Sequence, residues 1–283
     1  MKSDAAFLIV GLGLMGGSYA KALKKQGFKV YAIDRDPESI SFALKNGIID
    51  KGSVNSDPKL IAEADYIVIA LYPTLVTDWI RDNQVYFTPG VKITDVTGIK
   101  SSVVYSVQDI LRPDVEFIAA HPMAGRELSG VRNSDPNIFI KANYIVVPTK
   151  KNSKEAIEWC KELGETLGFS RISELTPEDH DRAIAFVSQL THCIAISLMT
   201  CTDNEHLCEY TGDSFRDLTR IARINENMWT ELFFLNKEAL LREMDLFIDE
   251  FMSIRNLIEH ENGSELKDKM RLSTKRRALF DKK

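Results

Sequence analysis

The segment Gly11-Leu12-Gly13-Leu14-Met15-Gly16 constrains this chain more than any other feature. It follows an apolar run, Ala5–Val10, and opens a helical pattern, Leu14–Gln26. A strand feeding a helix through glycines spaced G-x-G-x-x-G predicts one geometry. The first glycine permits the tight turn, the second lets backbone approach a pyrophosphate, and the third lets helix pack on strand. The helix N-terminus then offers free N–H groups and a positive dipole end to phosphate oxygens. Gly11, Gly13, Leu14, Met15 and Gly16 are therefore read as dinucleotide contacts. The alternative is a glycine turn with no ligand. Asp34 argues against it, because it ends the second apolar run, Val30-Tyr31-Ala32-Ile33-Asp34, where a carboxylate can hold a ribose 2′-hydroxyl. Its charge repels a 2′-phosphate and favours NAD; Arg35, next in the chain, is the residue that accommodates NADP. NAD is the expected cofactor.

The surrounding rhythm agrees. Strand patterns at Ala5–Val10, Lys29–Ile33, Tyr66–Leu71, Val91–Thr94 and Glu116–Ala119 alternate with helix patterns at Leu14–Gln26, Pro37–Asn46, Thr74–Asp82 and Ser101–Leu111. This predicts an α/β fold, a Rossmann-type doubly wound parallel sheet with helices on both faces. Tyr144–Pro148, a helix over Ser153–Leu167 and Arg171–Glu174 continue the pattern. It stops at Thr176-Pro177-Glu178-Asp179, where a cap residue, proline at the first helical position and first-turn acids start a helix. From there to Ile258 the periodicity is helical. The expected division is 1–175 for the dinucleotide-binding domain and 176–283 for an all-α substrate and dimerisation domain. Apolar groups such as Phe233-Phe234-Leu235 and Leu246-Phe247-Ile248 exceed what one helical layer buries, which predicts a homodimer.

Bulk properties remove other classes. At 283 residues the chain holds about two domains. A net charge of -5 speaks against nucleic acid, and the basic end from Lys267 to Lys283 reads as a solvated helix end. Lys2 and Ala5–Val10 resemble a signal peptide until Gly11 and Gly13 interrupt the run. Ile184–Met199, the most apolar later stretch, carries Ser188, Gln189, Thr191 and His192 and is short for a bilayer. A cytoplasmic protein with no membrane partner is expected. Cys160, Cys193, Cys201 and Cys208 form no Cys-x-x-Cys and no zinc spacing, so no metal is expected and the thiols are read as buried or half-buried in a reducing compartment.

His121-Pro122-Met123-Ala124-Gly125 follows the strand Glu116–Ala119 at the edge where open α/β sheets bind ligands. Removing hydride from an alcohol leaves a hydroxyl proton that needs a base, and imidazole titrates in the right range. By position alone, a loop-capping histidine is an equal reading. Asp95-Val96-Thr97-Gly98-Ile99-Lys100 ends another strand at the same edge and can bring the Thr97 hydroxyl and backbone donors there, or serve only as a turn. Ser188 and His192 share a helix face at i, i+4, a spacing equally compatible with a satisfied core pair.

Taken in order, GLGLMGGS, DVTGIK, HPMAGRE, HD, S, TH, FRDLTRIA and MW resemble the prephenate and arogenate dehydrogenases of tyrosine biosynthesis. The resemblance runs from the first strand to about Trp229. It implies oxidation of a cyclohexadienyl alcohol with NAD or NADP and release of carbon dioxide. It casts His121 as the catalytic histidine at the ring hydroxyl, and Glu127 as an acid near the substrate. His180, Ser188 and His192 become polar positions of the first long helix of the second domain. Arg220 becomes the arginine of a substrate carboxylate, and Trp229 its neighbour. It also implies dimers through the helical domain. An arginine suits the dianion prephenate because its guanidinium pairs a carboxylate bidentately, and Glu127 is a candidate to hold it. This chain departs from the pattern where relatives carry serine, at Gly98, leaving Thr97 or Ser101 to replace that hydroxyl, and where they carry proline, at Thr191. Some relatives carry a C-terminal ACT-type domain, for which this chain is expected to have no room. Three other readings stay open: arogenate as the substrate, a β-hydroxy acid dehydrogenase (which would rely on a lysine of the helical half), and an NAD(H)-binding sensor without turnover.

Overall fold

In the computed structural model the described residues are 1–281 except Ser3 and Glu127. They form two compact units, Met1–Asn236 and Lys237–Lys283.

In the first unit, among the described residues, six strands form a parallel sheet in the order β3-β2-β1-β4-β5-β6. They are β1 (Ala6–Val10), β2 (Lys29–Ile33), β3 (Lys51–Ser53), β4 (Tyr66–Ile69), β5 (Lys92–Asp95) and β6 (Glu116–Phe117). Helices α1 (Leu14–Lys25), α2 (Pro37–Lys45), α3 (Pro58–Ala62), α4 (Pro73–Asn83) and α5 (Ser101–Ile110) connect them. Successive residues of β1 feed opposite faces, as the twofold strand period requires. Phe7 and Ile9 pack with Tyr19 and Leu23 of α1, while Leu8 and Val10 pack with Ile61, Ile80 and Val103. Both faces are covered, which explains why the strands read as unbroken apolar runs. The chain order reverses on either side of β1, and the crevice at the carboxyl ends of β1 and β4 is where such sheets hold a dinucleotide.

The expected strand Glu116–Ala119 divides. β6 stops at Phe117, and β7 (Ala119–Met123) joins β8 (Asn143–Val147) and β9 (Arg171–Glu174) in a second sheet, ordered β7-β8-β9. β7 runs antiparallel to β8, so the later strands do not extend the parallel sheet as the rhythm suggested. His121 consequently lies within a strand, opposite Ile145, rather than in the loop after one. α6 (Lys154–Leu167) separates β8 from β9. β3 and α3 are short elements that the sequence reading did not separate from loop.

Thr176 caps α7 (Pro177–Ile184) by accepting the Asp179 N–H. The helix continues through a widened turn, Ala185–Leu190, into α8 (Thr191–Thr200). The continuous span Pro177–Thr200 is, by length and composition, long and apolar enough to cross a membrane, so the stretch judged too short belongs to a longer helix. Its buried polar residues are nevertheless satisfied inside the unit. Gln189 donates to the Leu232 carbonyl (2.9 Å) and accepts from Asn236 (2.7 Å), which also donates to the Asp181 carbonyl (2.9 Å). Those partners tie the helix to α11 (Glu226–Leu235), which follows the short helices α9 (Leu207–Tyr210) and α10 (Asp213–Thr219). Cys160 is buried and Cys193 half-buried, but Cys201 and Cys208 are exposed, because they sit at the end of α8 and in α9 at the surface.

The second unit is a helix pair, α12 (Lys237–Glu259) and α13 (Gly263–Arg277), with Lys269 bonded to Glu250 across it. Leu246, Ile248, Phe251 and Ile258 of α12 are each more than half exposed.

Candidate active site

The glycine loop has the shape its spacing predicts. Gly11 takes φ +95°, and a Cβ on it would lie 2.5 Å from the Ala70 carbonyl oxygen, so the turn excludes any side chain. A Cβ on Gly16 would lie 1.9 Å from the Gly11 oxygen, which is the close helix–strand approach. Nothing lies within 4 Å of the Cβ position at Gly13, which is the open face of the loop. Gly13 also stands at the N-cap of α1 with no side-chain cap and no acid in the first turn. The helix N–H groups there remain free for an anion. Asp34 accepts the Leu12 N–H (2.5 Å) and the Asp36 N–H (2.8 Å), fixing its carboxylate between the loop and the start of α2. Leu14 and Met15 are half-buried in the first turn, and Arg35 is exposed. These features fit a dinucleotide: an uncapped helix end, an approach with room for phosphates, and an anchored acid for a ribose.

Beside the carboxyl end of β5, where Asp95 Oδ1 accepts the Ala120 N–H (3.2 Å), lies a chain of hydrogen bonds centred on His121. Its Nδ1 is 2.8 Å from Nε2 of His180, and His180 Nδ1 is 2.8 Å from Oδ1 of Asp181. Asp181 also accepts the N–H groups of Lys100 (2.9 Å) and Ser101 (2.8 Å) at the start of α5. Burial alone would raise its carboxyl, but the hydrogen bonds from His180 and Ser101 outweigh that and hold it below the ordinary carboxylate value. It is an acceptor only, so His180 donates from Nδ1. Burial pushes both imidazoles down, His121 well below its ordinary value, with His180 and the Lys100 charge adding to the effect on His121. A neutral His180 that donates from Nδ1 must accept at Nε2. His121 then donates from Nδ1 and keeps a lone pair on Nε2. Among the described residues no hydrogen bond reaches that Nε2, and His121 remains partly exposed. The arrangement is an oriented base.

Two expected residues take other places. His180 is fully buried with both ring nitrogens engaged, so it orients His121 and has nothing left for a substrate. The Thr97 hydroxyl is turned inward, bonded to the Asp95 carboxylate and the Ile99 carbonyl (2.8 Å). It cannot replace the serine missing at Gly98. Gly98 instead faces the base, since a Cβ there would lie 4.0 Å from His121 Cε1 and 3.4 Å from Leu232. Glu127 lies outside the described residues.

The helical wall is built from α8 and α11. His192 packs against Trp229 with ring centroids 3.7 Å apart and planes tilted by 31°, and donates from Nδ1 to the Ser188 carbonyl (2.8 Å). The Ser188 link therefore uses its backbone. Trp229 and Leu232 are one turn apart on α11, so the wall carrying His192 continues to Gly98 and the base. Arg220 begins a turn, Arg220–Ala222, that packs on α8, and it is exposed. The sequence reading missed Asp95, Lys100 and Asp181. Asp181 stands beside His180 in the quoted HD pair, and that adjacency was the available signal.

A parallel sheet reversing at β1, a glycine loop free to take phosphates and an oriented base beside the carboxyl end of β5 define an NAD-dependent dehydrogenase. The comparisons make this specific. The model of the prephenate dehydrogenase nucleotide-binding domain matches residues 19–172, and that of the prephenate dehydrogenase dimerization domain matches 176–272. Prephenate dehydrogenase of Bacillus subtilis (strain 168) is 33% identical over 270 residues, 92% of this chain and 71% of that protein. Prephenate dehydrogenase of Lactococcus lactis subsp. cremoris (strain MG1363) is 32% identical over 85% of this chain and 67% of its own length. The crystal structure of prephenate dehydrogenase from A. aeolicus in complex with hydroxyphenyl propionate and NAD+ matches at a TM-score of 0.90 and 31% identity, covering 99% of both chains. The chain belongs to the prephenate dehydrogenase family.

Proposed function

We propose that this protein catalyses the NAD-dependent oxidative decarboxylation of prephenate to 4-hydroxyphenylpyruvate and carbon dioxide, with His121 as the base. The observation that carries the reading is the relay Asp181–His180–His121, whose hydrogen-bond order argues for an unprotonated Nε2 on His121 beside the carboxyl end of β5. Gly11, Gly13, Leu14, Met15 and Gly16 line the loop for the pyrophosphate, and Asp34 takes the adenosine ribose. When bound there, NAD supplies the acceptor for the hydride of the alcohol carbon. His121 removes the hydroxyl proton, and the positive charge it gains is countered through His180 by Asp181. The ring ketone left behind is conjugated to the carbon bearing the carboxylate, and loss of carbon dioxide makes the ring aromatic. Arg220 pairs with a substrate carboxylate, while His192, Trp229 and the Ser188 backbone form the wall beside the side chain. Glu127 is assigned to hold Arg220.

In this reading residues 1–175 bind the dinucleotide and 176–283 complete the substrate site and a homodimer in the cytoplasm. The dimerization-domain match and the exposed Phe234, Leu246, Ile248 and Phe251 support the pairing; a sedimentation mass of one chain would remove it. Replacing His121 by asparagine tests the base. Turnover should fall by about 10²–10⁴-fold while NAD still binds; near-native turnover in the folded variant takes His121 out of the role.

A further inference from the structure

The turn between β5 and α5 buries an ion pair that the reaction as described does not use. Lys100 and Asp95 have no exposed side-chain surface, and Nζ lies 2.7 Å from Asp95 Oδ2. A buried pair of this kind contributes little net stability, because desolvating both charges offsets their attraction. Its connections suggest another purpose. Asp95 Oδ1 accepts the Ala120 N–H (3.2 Å), and Ala120 is the residue before His121. The Lys100 backbone N–H reaches Asp181, which holds His180, which holds His121. The path from Ala120 through Asp95, Lys100, Asp181, His180 and His121 therefore closes on itself. Lys100 joins its two halves, one through its ammonium and one through its N–H.

We propose that Lys100 is a positioning residue for the base: through Asp95 and Asp181 it clamps both ends of the His121–His180 pair, holding His121 in the orientation and tautomer that keep Nε2 open. This rests on the reading of His121 as the base. Lys100 touches no substrate and acts through its two acids. Its charge also opposes protonation of both imidazoles. The other groups around the circuit are accounted for. Asp95 and Asp181 favour a charged His180, against Lys100. Cys160, pushed up to about 12 by burial, and Tyr144, raised well above its ordinary value, stay neutral behind the pair. The Thr97 hydroxyl, 3.2 Å from Nζ, carries no charge.

The variant Lys100→Met strands a buried Asp95 and is liable to fold poorly. The double variant Asp95→Asn with Lys100→Met removes both charges and keeps an acceptor for the Ala120 N–H. With prephenate and NAD it should keep its thermal midpoint and its NAD affinity by fluorescence titration. Its kcat should fall by about 10–100-fold, since a misplaced base loses about that much. The acid limb of its kcat/KM profile should shift, because the Lys100 charge that opposes His121 protonation and the Asp95 charge that favours a protonated His180 are both gone. A folded double variant with native kcat and an unmoved acid limb overturns the proposal. Isotope-labelled histidine and lysine NMR on the native protein decides without any variant. A proton on His121 Nδ1 and a slowly exchanging Lys100 ammonium are expected; a proton on Nε2, or a freely exchanging ammonium, overturns it. His121→Asn runs in parallel. If that variant stays active, the base reading itself fails, whereas its inactivity beside an unaffected double variant removes only the role of Lys100.

Discussion

Replacing Asp181 by asparagine should change the proton order of the relay with little change in its shape. Asp181 accepts three hydrogen bonds, from His180 Nδ1, Lys100 N–H and Ser101 N–H, at 2.8–2.9 Å. Asparagine is nearly isosteric, but only its oxygen accepts. Oδ1 faces both His180 Nδ1 and the Lys100 N–H, and Oδ2 faces the Ser101 N–H; with the amide oxygen at Oδ2, keeping the Ser101 bond, the NH₂ replaces Oδ1 and faces His180. His180 must then accept at Nδ1 and carry its proton on Nε2. His121 in turn accepts at Nδ1 and holds its proton on Nε2, where the base is needed. The geometry survives and the lone pair is lost, so kcat should fall by about 10²–10⁴-fold, as for loss of a general base. One charge-assisted hydrogen bond is weakened, which should cost about 1.5–3 kcal/mol. For a unit of this size that is a fall in Tm of roughly 3–12 °C. The assay is the initial rate of nicotinamide reduction, with NAD affinity measured separately by fluorescence. If the folded variant keeps kcat within about threefold of native while binding NAD normally, the tautomer argument is wrong.

Other expectations follow from the same site. Arg220→Gln should raise KM for the dianionic substrate more than it lowers kcat; an unchanged KM removes Arg220 from substrate binding. Gly16→Ala drives a Cβ into the Gly11 carbonyl oxygen and should cost about 1–3 kcal/mol by chemical denaturation. Gly13→Ala meets nothing within 4 Å, so it should leave stability unchanged and weaken NAD; equal effects of the two substitutions would contradict the roles given to the glycines. His121 and His180 are both held below their ordinary value in the fold. The unfolded chain therefore binds more protons once pH drops below the unfolded histidine value near ~6.5. Stability should be full above that value and decline as pH falls from it toward the folded values. Denaturation midpoints measured across this range should lose that decline in a His121→Asn, His180→Asn double variant.

The sheet and the glycine loop were legible because local signals determine them. Strand periodicity over Ala6–Val10 and the G-x-G-x-x-G spacing each report geometry within a few residues. The second sheet was not, because only Ile118 separates β6 from β7 and residues 117–120 are apolar across that break, and only the distant strand Asn143–Val147 decides that Ala119–Met123 leaves the parallel sheet. His121 was found as a histidine at a ligand-binding edge. The residues that make it a base come from far along the chain, and spacing carries no record of them. Asp181 entered only as the second letter of the HD pair, and nothing local shows that its carboxylate serves the N-terminus of α5. A hydroxyl at a strand end gives the same signal whether it faces substrate or core, which is why Thr97 was misplaced. A lysine in a turn reads as solvated, and the burial of Lys100 shows only once Asp95 lies against it.

The most direct test of the account is turnover by the purified protein, with prephenate and arogenate each offered with NAD and with NADP. The account expects reduction of NAD with prephenate, accompanied by release of carbon dioxide in equal amount. Preference for arogenate would keep the base and the relay but assign a different substrate side chain. Absence of turnover in all four combinations, in protein that still binds NAD, would contradict the central claim.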